Sequence, residues 1–311
     1  MTAIQQVLFE LETPYMGHPY FVTGNALATA IARRVDDAAV RKNLQVSHGQ
    51  FVPGEYGNYP PAASQDGYAA KLGQTLPPVE AYEDLFVFRD AAQRWLLDSR
   101  PRDAHNALDL QQHGDRIAFA DMCWFGRPEG SHNHRRSMQW YLHAYLHTDG
   151  SDAALPLSTD VLEGLRVGGS RNYGFGRLSV ADTQLVTLED LDYSRLADAD
   201  AYQLDVLTPY VLRTEHPDAD DQSVPWWWGV PDGGLRRRET RLVDGAETYT
   251  LETVDHGQVL TYTGRDPVAT ARNGVLRVGT HSRFGFGELR VRPASVDRVP
   301  ERTDAATGGE S

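Results

Sequence analysis

The chain has 311 residues, 41% of them hydrophobic, and a formal net charge of -13. That length allows two ordinary hydrophobic cores, while the charge argues against nucleic-acid binding by bulk electrostatics, because phosphate affinity rests largely on Lys and Arg. The single cysteine, Cys123, excludes an intrachain disulfide and any multi-cysteine zinc site.

Residue choice within that charge changes its meaning. Lysine occurs only at Lys42 and Lys71, the other basic residues are arginine, and Asp outnumbers Glu. This is the pattern of a halophilic protein in a very salty cytoplasm, where net charge reports the solvent rather than the ligand. Concentrated salt weakens counterion release, so a nucleic-acid site would lean on stacking, Arg hydrogen bonds and backbone N–H groups. The N-terminus shows no secretion signal and no apolar run is long enough for a membrane span, so a cytoplasmic location is expected.

In chain order, Val7–Glu12 alternates as a strand and ends in Thr13-Pro14-Tyr15; Asn25–Val35 follows as a helix. Residues 41 to 125 are the least legible stretch. They contain Gly, Pro and Tyr-rich loops and a helix-compatible segment, Glu83–Leu97, with Leu85, Phe88, Ala92, Trp95 and Leu96 inward. Met138–Thr148 reads as a strand, then a short helix begins near Pro156, then a Gly-rich loop leads into a strand over Gly174–Val180. Further on come a strand at Tyr202–Leu207, an aromatic and arginine loop, strands near Glu239–Leu251 and Gln258–Tyr262, and a second short helix. That helix has Asp266-Pro267 as cap and first turn and Gly274 placed to end it. A second Gly loop and strand complete the series, and 298–311 reads as a disordered tail.

Two halves of this series match. Leu165–Val180 lies over Leu276–Val291 without a gap at an offset of 111, with nine of sixteen positions identical. The opening strands also match, both ending in Thr-Pro-Tyr (Thr13–Tyr15 and Thr208–Tyr210), at an offset of 195. Subtracting 111 from 195 leaves about 84 additional residues in the first half, placed as an insertion within 41–125. The expected organisation is one module over 1–190 and a second over 196–295. The fold class is α+β: two ferredoxin-like modules, antiparallel sheets with helices on one face.

The loops carry the chemistry. Gly168-Gly169-Ser170-Arg171-Asn172-Tyr173-Gly174-Phe175-Gly176 lacks the Lys of a Walker loop and leads into a strand, unlike a dinucleotide fingerprint. A Gly-x-Gly beside a strand is also a common bulge or tight turn; its presence in two copies favours a ligand. The candidate binding residues are Gly168, Gly169, Arg171, Gly174, Gly176 and Arg177 in the first loop, and Gly279, His281, Arg283, Gly285 and Gly287 in the second. Phe175 and Phe286 read as core-facing. Arg236, Arg237 and Arg238 join them from the loop that holds Trp226, Trp227 and Trp228, whose rings suit either base stacking or a core.

The paired loops, each ending in Gly-Phe-Gly before a short strand, resemble the signature of the repeat-associated mysterious protein (RAMP) superfamily of CRISPR systems. The helix entry Phe21–Arg33 is similar too, while 41–125 is unmatched. The resemblance implies RRM-type modules that bind CRISPR RNA beside other Cas proteins, with no cofactor and no metal. Some members cleave RNA with a general-base histidine near the first helix. His18 is in that neighbourhood, with Tyr15 and Tyr20 to assist. Those nucleases carry one Gly loop rather than two, so a non-catalytic subunit is the leading expectation, with the endoribonuclease and a structural assembly protein as alternatives. Cys123, His132 and His134 lack the ligands of a zinc site.

Overall fold

The computed structural model describes residues 2–17, 21–53, 75–89, 117–119, 122–124, 137–148 and 154–296. His18, Tyr20, His132, His134, most of the insertion and the 298–311 tail lie outside them.

The first half is built on β1 (Ala3–Leu11), β8 (Ser137–Thr148) and β10 (Arg177–Thr187), with β1 in the middle. β10 pairs antiparallel along one side of β1 and β8 along the other; β5 (Gly49–Pro53) then pairs antiparallel with β8. The order is therefore last strand, first, third, second. Shorter strands complete the sheet: β3 (Phe21–Val22) on β5, β4 (Leu44–Val46) and β7 (Met122–Trp124) on β8, and β9 (Leu165–Arg166) on β10. β2 (Tyr15–Gly17) pairs with β6 (Ile117–Phe119), so the insertion returns beside the Thr-Pro-Tyr segment.

Alternation along β1 and β8 assigns their faces. Val7, Phe9 and Leu11, with Leu142, Ala144 and Leu146, meet α1 (Gly24–Ala32) in the first core. Thr23 caps that helix by accepting from the Ala26 N–H, and Leu27 and Ile31 are its buried stripe. The opposite face carries Ile4, Gln6, Tyr145 and His143, and all four are buried. A turn of the insertion covers them: Tyr82, Leu85 and Phe86 pack with Ile4 and Tyr145 into the second core. Leu85 and Phe88 are inward as expected; Tyr82–Phe86 is a 3₁₀ turn that runs into helix at Val87–Arg89, and Ala92, Trp95 and Leu96 lie outside the described residues.

The second half repeats the strand order. β17 (Leu289–Pro293), β11 (Tyr202–Val206), β16 (Val259–Tyr262) and β13 (Trp228–Gly229) form one antiparallel sheet with β11 inside it. Pro267–Val275 forms a helix packed on β17, capped by Asp266, which accepts from the Ala269 N–H. Gly274 does not end it. A Cβ there would lie 2.4 Å from the Leu289 carbonyl oxygen, so this glycine lets helix and strand meet closely, and Arg277 makes the left-handed turn at φ +70. Where the first half has α1, the second has β12 (Tyr210–Thr214), paired with the hairpin β14 (Arg237–Asp244) and β15 (Glu247–Val254).

Candidate nucleic-acid interface

Both Gly loops adopt one backbone shape. Left-handed φ values recur at matching positions: Gly168 and Gly279 (+81, +88), Ser170 and His281 (+54, +61), Gly174 and Gly285 (+94, +89), Gly176 and Gly287 (+68, +80). A single 3₁₀ turn, Arg171–Tyr173 or Ser282–Phe284, sits between the second and third of these. Two such residues with side chains, Ser170 and His281, are held against their preference, which marks the conformation as imposed by its surroundings.

The Thr-Pro-Tyr segments impose it. The Gly176 N–H donates to the Pro14 carbonyl at 2.8 Å, and the Gly287 N–H donates to that of Pro209 at 2.9 Å. Thr13 Oγ1 accepts from the Arg177 N–H at 2.9 Å, and Thr208 Oγ1 accepts from the Glu288 N–H at 2.8 Å. A Cβ on Gly168 would lie 2.6 Å from the Tyr15 ring, and one on Gly279 would lie 2.8 Å from the Tyr210 ring. Each loop also closes on itself, Val167 N–H to Gly176 carbonyl and Val278 N–H to Gly287 carbonyl. The first loop gains one more tie, Thr13 Oγ1 donating to the Gly174 carbonyl at 2.9 Å.

The loops differ in what they face. In the first, Arg171, Asn172 and Tyr173 are exposed, Tyr173 at 80%, and nothing lies within 4 Å of a Cβ built on Gly174. Arg177 is exposed and pairs with Glu12 at 2.7 Å. Arg166, absent from the sequence-based candidates, joins them: it is exposed and its Nη1 donates to the Arg171 carbonyl at 2.9 Å. Gly168 and Gly169 are half-buried against Tyr15 and Met16, and Gly176 is buried.

The second loop, unlike the first, docks on the first half of the chain. Gly285 and Gly287 are buried, and a Cβ on Gly285 would meet His48 Nδ1 at 2.2 Å and the His48 backbone nitrogen at 2.7 Å. On the other side of the contact, a Cβ on Gly24, at the start of α1, would meet the Phe284 carbonyl oxygen at 2.4 Å. Phe286 is buried as expected, and Phe284 packs against the first core. Arg283 is exposed at its surface but donates to the Arg41 carbonyl at 2.9 Å. Gly279 stays exposed.

His281 is half-buried against Phe284, Phe286 and His216, with Nε2 2.9 Å from Thr214 Oγ1. Burial, aided by the neighbouring His216, pushes its pKa down to about 4, so at neutral pH it is an uncharged imidazole rather than a phosphate-pairing cation.

Of the three tryptophans, Trp228 is buried, Trp227 is partly buried against the second core, and only Trp226 is exposed, at 74%. Arg236, Arg237 and Arg238 are all exposed where β14 begins; Arg237 pairs with Glu252 at 2.6 Å. Among the described residues no hydrogen bond or ion pair links them to the first loop.

Of the residues considered for catalysis, Tyr15 is buried under Gly168 and edge-on to Phe51 at 5.1 Å, where it supports the loop. His48, on which the second loop docks, is buried, its Nδ1 accepting from the Gly24 N–H at 3.4 Å. Among the described residues no group of three or more His, Cys, Asp or Glu side chains is placed to hold a metal, and no helix is long and apolar enough to cross a membrane. No family model and no curated protein matches the chain.

Proposed function

We propose that the chain is a non-catalytic RAMP-type subunit of a CRISPR ribonucleoprotein, and that it holds guide RNA on its first Gly loop beside other Cas proteins. The observation that carries this reading is the open loop itself. Exposed Arg166 and Arg177, paired across two strands, and Arg171, whose carbonyl Arg166 braces, share this loop with an exposed tyrosine ring and an unobstructed glycine in a chain of net charge -13. Guanidinium groups grip phosphate, a ring stacks a base, and a side-chain-free rim admits a sugar–phosphate backbone. Contacts to 2′-hydroxyls would favour RNA over DNA. The strand order in each half, last–first–third–second and antiparallel throughout, supports two ferredoxin-like modules. In the second module a three-stranded sheet stands where the first crossover helix would be.

A second reading has its own observation. The second loop makes its contacts with protein, which favours an assembly role in which the first loop docks another subunit. Purifying the chain from cells at high salt, then sequencing co-purified nucleic acid, separates the two. RNA retained by the parent protein and lost on Arg171→Gln with Tyr173→Ala supports RNA binding. A parent free of RNA, or a variant that keeps it fully, overturns that reading.

A further inference from the structure

We propose that Arg166 is a ligand-binding residue of the first loop, anchoring a phosphate oxygen of a polynucleotide with the part of its guanidinium that faces solvent. The inference rests on the RNA reading above and adds a residue to that site.

Internal duplication supplies the argument. Arg166 and Arg277 occupy the same place in the two repeats, and both brace their loop by donating to the carbonyl five residues on. Arg166 Nη1 reaches Arg171 at 2.9 Å, and Arg277 Nε reaches Ser282 at 2.8 Å. In the second repeat a further arm finds an acceptor on the neighbouring module: Arg277 Nη2 donates to His147 Nδ1 at 2.8 Å. The buried His147 is held neutral and so can accept there. Arg277 is itself buried and thus has its acceptor supplied within the chain.

Arg166 has the brace and lacks that acceptor. It is exposed, and among the described residues it makes no ion pair and no side-chain hydrogen bond beyond the one to Arg171. With Nη1 tied to the Arg171 carbonyl, the guanidinium is held at the loop and its other N–H groups are available beside it. A planar fork oriented in this way suits an anionic oxygen better than a mobile ammonium does. The chemistry indicated is a phosphodiester oxygen.

The test uses the full chain, a short oligouridylate RNA and its DNA counterpart, with affinity measured across a series of KCl concentrations. Arg166→Gln should weaken RNA binding at least about tenfold and lower the slope of log affinity against log salt by about 0.7, one phosphate contact on a single strand. Arg166→Lys should keep the slope and lose part of the affinity, since it keeps the charge but not the fork. Arg265→Gln, at an exposed arginine elsewhere, should change neither. Unchanged affinity in Arg166→Gln overturns the proposal while leaving the RNA reading intact. Weaker binding at an unchanged slope also overturns it, because the arginine would then only brace the loop. A parent protein that binds no RNA at any salt concentration fails the broader reading, and the proposal with it.

Discussion

Alanine at Gly174 and alanine at Gly285 form a matched pair that isolates the docking of the second loop. The two glycines occupy the same place in the repeat and nearly the same conformation, φ +94 and +89. Forcing an L side chain into the left-handed region costs each variant roughly 1–2 kcal/mol. Their surroundings differ. The new methyl at 174 meets nothing within 4 Å, whereas at 285 it lies 2.2 Å from His48 Nδ1, 2.7 Å from the His48 backbone nitrogen and 3.0 Å from the Ser47 carbonyl carbon. Two of those three atoms are backbone, so relief requires the second loop and Ser47–His48 to move apart slightly, an overpacking cost of roughly 1–3 kcal/mol. Gly285→Ala should therefore be less stable than Gly174→Ala by about that increment, read as the difference in urea-unfolding free energy at constant high salt. Equal losses, within about 0.5 kcal/mol, would refute the docking argument.

Two further outcomes follow from buried charge at the same junction. Arg89 and Glu288 form a fully buried ion pair at 2.9 Å, so Arg89→Met should cost about 3–5 kcal/mol by leaving an uncompensated carboxylate. Adding Glu288→Gln should recover part of that loss, whereas additive losses in the double-mutant cycle would refute direct pairing. Part of the acid sensitivity should trace to His147, whose pKa is pushed down to about 2, first by burial and then by the adjacent Arg277. A depressed folded-state pKa means that below about 6.5 the unfolded chain takes up a proton that the native chain refuses. Stability therefore falls as pH falls, by about 1.4 kcal/mol per pH unit for this group. His147→Gln should flatten the pH dependence by that amount between pH values of about 6 and 4; an unchanged slope would count against the assignment.

Local signals read well from the sequence wherever chain chemistry determines the outcome nearby. The helix after Thr23, the Asp266-Pro267 start and the strands ending in Thr-Pro-Tyr depend on caps and alternation within a few residues. The repeat was legible as two matches at different offsets, and the structure shows why both belong to one motif: Thr13-Pro14 and Thr208-Pro209 hydrogen-bond to their respective Gly loops. The hairpin at Asp244-Gly245 carried a turn signal that a single strand over Glu239–Leu251 passed over. What could not be read was which loop faces water. That depends on α1 and Ser47–His48, more than 230 residues from Gly285 in sequence, and no local pattern reports it. The tryptophan run was ambiguous for a similar reason. Trp228 pairs in a strand and Trp226 does not, a distinction made by β16 rather than by the run itself.

The divergence between the repeats follows their surroundings position by position. Tyr173 keeps a hydroxyl where its ring meets water; Phe284, its counterpart, has none where the ring packs against the first core. After Gly-Phe-Gly, the first repeat has Arg177, exposed and half-neutralised by Glu12, while the second has Glu288, buried against Arg89 from the insertion. A glutamate at that buried place requires a cation close by, because burial alone pushes its carboxyl toward the neutral form. The insertion supplies that cation in the segment that also covers the outer face of β1 and β8. One insertion thus accounts for two features at once: it covers a sheet face that would otherwise be open, and it ties the second loop into the junction. The 3₁₀ turn of the first loop is left open where that of the second is docked, and with it stand three exposed arginines, Arg166, Arg171 and Arg177, in an acidic protein.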